Sequence, residues 1–219
     1  MKKLALVLIV MLFVIPAAAQ FYSSGPINGN TDAWTINFGF IVSDRFYLLE
    51  NNDDVTGATF GMWLFSGDTL TSAELSITSQ ENGGISYFDQ TVNFTQGSCT
   101  SNQYGYNVCQ ENTWFNGPTL NAGSYWINLQ NASVPSGDPV YWDENSGGTN
   151  AWPPGASENS VGSIPLESFT LFAGCGAGDG KCQASSATAD QSSVPEPGSL
   201  LLLASGVVGI VGWLRRSRA

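Results

Sequence analysis

The chain has no histidine among its 219 residues. That absence removes Ser-His-Asp and Cys-His nucleophile systems, a His-ligated zinc and a histidine general base in one step. Charge is scarce as well, at 11% of residues, and positive charge is scarcer still. Five of the seven cations, Lys2, Lys3, Arg215, Arg216 and Arg218, sit at the extreme ends. Between Gln20 and Ser193, 17 acids face only Arg45 and Lys181, a net charge of −15. Such a field repels phosphate backbones and anionic lipid surfaces, so nucleic acid is not an expected partner. Helical periodicity is missing too: no stretch from Phe21 to Phe172 carries a convincing 3.6-residue apolar repeat.

Period two takes its place. Trp34, Ile36, Phe38 and Phe40 alternate with Thr35, Asn37 and Gly39; Phe60, Met62 and Leu64 alternate with Trp63 and Phe65. Leu75-x-Ile77, Tyr87 to Phe94, Tyr125-x-Ile127-x-Leu129 and Phe169 to Phe172 continue the pattern. Turn-formers separate these runs, among them Asn51 to Asp54, Ser66-Gly67-Asp68, Asn82-Gly83-Gly84 and Asn116-Gly117-Pro118. About eight short antiparallel strands in this length predict an all-β sandwich of jelly-roll type over residues 20–173.

Both ends carry targeting features. Met1-Lys2-Lys3, the apolar run Leu4 to Ile15 and Ala17-x-Ala19 read as a signal peptide over residues 1–19, cut by signal peptidase after Ala19 on a Sec-type export route. Residues 174–193, rich in Gly, Ala and Ser, read as a flexible stalk with a small Cys loop. Pro195-Glu196-Pro197 then precedes the uncharged run Leu200 to Leu214 and the cluster Arg215, Arg216 and Arg218. At 1.5 Å per residue the run spans about 22 Å, a minimal transmembrane helix, and the arginines behind it stay cytoplasmic. Export places Cys99, Cys109, Cys175 and Cys182 in an oxidising space. Three pairings are possible, and local bridges Cys99–Cys109 and Cys175–Cys182 are the economical set.

The tail over residues 194–219 resembles the PEP-CTERM sorting signal of Gram-negative bacteria that make extracellular polysaccharide. The resemblance implies recognition by an exosortase-type membrane protease, removal of the helix and delivery to the cell surface or polysaccharide matrix. Glu196 is then a recognition residue. The body, especially Tyr125-Trp126 and Gly137 to Gly147, is also similar to an uncharacterised domain found on such proteins.

The least ordinary stretch holds Tyr141, Trp142, Asp143, Glu144, Asn145 and Trp152. Aromatic faces beside carboxylates and amides suit sugar binding, so these are candidate glycan contacts. The same residues could instead close one end of the sandwich. Weaker acidic candidates for calcium are Asp53, Asp54, Asp143 and Glu144, although none fits a known calcium-loop pattern. A glycan hydrolase needs only two carboxylates, but adjacent Asp143 and Glu144 on an extended chain point apart. Arg45 either grips a carboxylated sugar or satisfies a neighbouring acid. The expected protein is therefore a non-enzymatic, exported surface or matrix component of structural or adhesive kind. It needs no cofactor, and extracellular polysaccharide is its candidate partner; a calcium-binding adhesin module and a carboxylate-dependent glycan hydrolase are the alternatives.

Overall fold

The computed structural model describes residues 19–51, 53–145 and 155–173. Ala17, Trp152, the stalk with Cys175 and Cys182, and the tail with Pro195, Glu196, Pro197, Arg215, Arg216 and Arg218 lie outside the described residues. The strands, in chain order, are β1 (Ala19–Ser23), β2 (Ala33–Thr35), β3 (Val42–Leu48), β4 (Asp53–Asp54), β5 (Gly57–Leu64), β6 (Ser72–Gln80), β7 (Gly83–Asn93) and β8 (Thr95–Ser101). They continue with β9 (Asn107–Trp114), β10 (Thr119–Leu120), β11 (Gly123–Ser133), β12 (Tyr141–Asp143), β13 (Ala156–Glu158), β14 (Gly162–Ile164) and β15 (Phe169–Ala173).

All pairings are antiparallel, and two sheets pack face to face. One runs β14-β13-β3-β11-β6-β7, while β10 and β4 form a small separate ladder. The other is built around β5. One edge of β5 pairs with β9, which continues to β8. Its other edge is shared: residues 57–60 pair with β15 and through it β1, and residues 62–63 pair with β12 and through it β2. Alternation decides what faces inward. Ala58, Phe60, Met62 and Leu64 of β5 meet Phe46, Leu48, Leu75, Ile77, Ile127 and Leu129 of the opposite sheet, all essentially inaccessible. Each large side chain buried in this way contributes roughly 1.5–3 kcal/mol. Among the described residues, one continuous core and its strand pairings span residues 19–173.

Unlike an ordinary sandwich strand, β5 is buried along both faces. The segment between β1 and β2 crosses its outer side. At Gly61 a Cβ would strike Ser168 Oγ, Ile27 and Asp143 Cβ, so glycine is required for this close approach.

The run Trp34 to Phe40 departs from the expected strand. β2 ends at Thr35, and Phe40 N donates to Asn37 O at 3.1 Å across a tight turn with φ of +58° at Phe38 and +90° at Gly39. Phe38 is 65% exposed instead of lying in the core. A phenylalanine in this left-handed conformation costs roughly 1–2 kcal/mol.

Cys99 and Cys109 form the expected bridge and sit opposite each other on β8 and β9. Opening it is expected to cost about 2–3 kcal/mol, as for other loops of about ten residues. Urea unfolding of the purified protein with and without reductant measures this as a lower midpoint at unchanged slope.

Candidate functional site

The acidic and aromatic stretch that reads as a sugar-binding face is turned inward. Trp142 has 0% exposure, packs edge-on to Phe60 and Phe169 at 5.3 and 5.8 Å, and its Nε1 donates to Ser168 O at 2.9 Å. It has no free ring face on which a pyranose could stack. Asp143 is equally buried although it lies on the outer face of its sheet, because the segment entering β2 covers it. Its Oδ1 accepts from Gly29 N at 3.0 Å and Trp63 Nε1 at 2.6 Å; its Oδ2 accepts from Asn28 N at 3.0 Å and Ser168 Oγ at 3.1 Å. Burial still raises its pKa, the four donors opposing it. Asn145 is buried and donates to Ser24 O, Ser24 Oγ and Glu167 O. Glu144 is buried too, and its backbone bridges to Asp32 and Glu167. Its carboxyl is raised by burial first and then by the charge of Asp32. These residues form a seam tying the first segment of the domain to β12 and β15, which corrects their reading as glycan contacts. Of the described candidates, only Tyr141 stays partly exposed.

Two of the calcium candidates are engaged in hydrogen bonds within the domain. Both Asp143 oxygens are already occupied, and Asp54 on β4 accepts from Thr119 Oγ1 at 2.5 Å across the ladder to β10. Among the described residues no group of three or more Asp, Glu, His or Cys is placed to hold a metal ion. Arg45 lies on the outer face of the other sheet, its guanidinium 5.1 Å from the Trp126 ring centroid.

Further acids enter the core. Asp44 and Glu167 are fully buried, Glu167 N donates to Asp44 Oδ2 at 2.6 Å, and burial keeps both carboxyls well above the usual range. Glu111, on the inward face of β9, has its pKa pushed up to about 8 by burial, and neither oxygen has a hydrogen bond of ordinary geometry.

An accessible candidate surface lies around Tyr141. Trp63, Phe65, Tyr104, Tyr106 and Tyr141 form one aromatic platform on the outer side of the β5 sheet. Tyr104 stacks on Trp63 at 5.6 Å, and Tyr106 packs against Trp63 at 5.7 Å, Phe65 at 5.0 Å and Tyr141 at 5.5 Å. Trp63 is the buried base, while Tyr104 is 53% and Phe65 37% exposed. The loop from β8 to β9 sets the tyrosines: Asn102 Oδ1 accepts from both Tyr104 N and Tyr106 N at 3.0 Å, and the Cys99–Cys109 bridge closes the hairpin behind them. Ser136 Oγ donates to Asp68 Oδ2 at 2.6 Å beside the Phe65 turn. Asp138 lies close enough to Tyr141 to raise its phenol, although burial and the neighbouring Tyr106 hydroxyl contribute more to a pKa of about 12. Rigid rings with polar tips, rimmed by carboxylates, can stack on apolar faces and accept from hydroxyl groups. Sequence reading missed Phe65, Tyr104 and Tyr106. The available signal was the outward aromatic pair Trp63 and Phe65, repeated by Tyr104-Gly105-Tyr106 inside a Cys-bounded loop.

No curated protein matches the chain. Residues 193–216 match the family model of the PEP-CTERM protein-sorting motif, the segment that carried the resemblance in sequence. That motif marks the protein as an exosortase substrate, exported and sorted to the cell surface.

Proposed function

We propose that the protein is a non-enzymatic structural and adhesive component of the cell surface or exopolysaccharide matrix, and that it contacts glycan through the aromatic platform. In this reading the jelly-roll-like domain leaves the cell by a Sec-type route and loses its leader to signal peptidase. It stays anchored in the inner membrane, C-terminus cytoplasmic, until an exosortase cuts the tail. The observation that carries the adhesive reading is the contiguous set of five rings with Tyr104 and Phe65 exposed on an exported domain. Exposed aromatics in such an array are costly to keep in water unless they meet a partner.

Affinity electrophoresis of Gln20–Ser193 through gels containing polysaccharide tests the reading. Retardation is expected, and Tyr104→Ala should weaken it about tenfold, equivalent to roughly 1.4 kcal/mol, with an unchanged melting temperature. Retardation by Tyr104→Ala equal to that of the parent protein would reject the platform as the contact. Loss on adding a chelator would reject a metal-free contact and favour a calcium-dependent adhesin. Release of reducing ends would reject the non-enzymatic assignment.

A further inference from the structure

The exposed ring of Phe38 stands on a turn that disfavours it. Two-residue left-handed turns are occupied chiefly by Asn, Asp and Gly because only these adopt positive φ readily. Here the first central position holds a phenylalanine at φ +58°, and its exposure means that little burial offsets the conformational cost. The turn is fixed from both sides. Asn37 Nδ2 donates to Asp138 O at 3.0 Å, and Asn37 Oδ1 accepts from Val140 N at 3.3 Å. Asn159 Nδ2 donates to Gly39 O at 3.1 Å, and its Oδ1 accepts from Ile41 N at 3.0 Å.

Beside the turn lies a cleft of about 300 Å³, whose lining includes Asn37, Phe38, Asn131, Ser133 and Asp138. That volume is at the lower end of the range for small-molecule sites. Asn131 is a second non-glycine residue in the left-handed region, at φ +51°. Its side-chain nitrogen is held by Glu74 at 2.8 Å, leaving the amide oxygen as an acceptor. Asp138 has its backbone N fixed by Ser136 Oγ at 3.0 Å. Among the described residues no donor reaches its carboxylate. An aromatic residue, a carboxylate residue, an amide residue and a serine thus line one small cleft.

We propose that Phe38 is the apolar wall of a sugar subsite, and that the ligand is a neutral hexose residue within a polysaccharide chain. The ring covers the apolar face of the sugar, while Asp138 and Asn131 accept from its hydroxyls. Among the lining residues the polar groups are a carboxylate, amides and a hydroxyl, and none is cationic. Arg45 is the only cation among the described residues and stacks on Trp126 of β11, so a carboxylated or sulfated sugar would meet uncompensated negative charge. Phe38 follows Thr35 by three residues, at most about 11 Å of backbone, and Thr35 is the register partner of Tyr141. The subsite therefore extends the aromatic platform toward a site for several consecutive sugars, and it rests on the glycan reading given above.

The test is Phe38→Gly, with Phe38→Asn as second variant, in Gln20–Ser193. Each is examined by thermal melting and by electrophoresis through gels carrying hydroxyethyl cellulose, dextran, galactomannan or alginate. The expected result is a melting temperature about 3 °C higher, since the strain is relieved, together with about tenfold weaker retardation by a neutral polymer. Higher stability with unchanged retardation, while Tyr104→Ala still weakens it, overturns the subsite and leaves the platform standing. Lower stability in both variants overturns the premise that the ring is held against its conformational preference. Retardation by alginate alone overturns the neutral class. Passage of the parent protein unretarded through all four gels overturns the subsite and the glycan reading together.

Discussion

Replacing Asp143 by alanine is expected to lower the unfolding free energy by about 4 kcal/mol, as for other buried charged acceptors that lose every bond at once. Four donors converge on this carboxylate, and three of those contacts are buried: Gly29 N, Trp63 Nε1 and Ser168 Oγ. None gains access to water when the side chain is truncated. The backbone donors come from the segment that crosses the outer face of β5, so its loss also uncovers Gly61 and the base of the platform. Asp143→Asn keeps one acceptor oxygen, and should cost about half as much. Urea unfolding followed by tryptophan fluorescence gives both numbers, with Trp63 itself a reporter of the lost contact. A change below about 1 kcal/mol for alanine would mean that the segment is held by its apolar contacts instead.

Replacing Glu111 by glutamine is expected to stabilise the domain at pH 8 while leaving it nearly unchanged at pH 4.5. The carboxyl faces the core from β9, opposite Phe60, with no hydrogen bond of ordinary geometry to either oxygen; burial pushes it up to about 8, a weak interaction with the Gln96 side chain opposing that shift. Between its ordinary value of 4.5 and about 8 the folded protein holds a proton that the unfolded chain has released. The unfolded state then binds fewer protons, so stability falls as pH rises through this window and levels off above it. A shift of this size corresponds to on the order of 4 kcal/mol. Glutamine keeps the shape and carries no charge at either pH, so it removes this part of the slope. A residual slope of the same sign remains from Asp44 and Glu167, whose carboxyls are also raised by burial. Urea midpoints at pH 4.5 and pH 8 for both proteins measure the difference, and parallel profiles would refute the assignment to Glu111.

The sandwich was legible in sequence wherever apolar alternation continued through a whole strand, as at Phe60-Met62-Leu64, Leu75-Ile77 and Ile127-Leu129. It misled at Trp34 to Phe40, where alternation continues on paper but Gly39 allows a left-handed turn that ends the strand at Thr35. Glu111 and Asp44 escaped notice because a strand pattern gives no reason to place a carboxyl on the inward face. The stretch around Trp142 and Asp143 was chosen for its composition, which a binding face and a sealed seam share. What separates the two is the segment before β2 lying across it, a long-range contact that local pattern does not encode. The paired cysteines at 99 and 109 were legible because chain closure over ten residues is local.

The position of β5 has a mechanical consequence. Its first residue, Gly57, pairs with Phe172 one residue before the domain's last strand ends, and its far end carries Trp63 into the platform. These points are separated by about 20 Å of extended strand. If the platform grips a matrix polymer while the C-terminal side is tethered, tension runs lengthwise along β5 and its antiparallel neighbours. Bonds across such a ladder are loaded in shear and share the force, whereas a ladder pulled from its end opens one bond at a time. Under that load, the same strand that is buried on both faces would be the tension-bearing member of the domain.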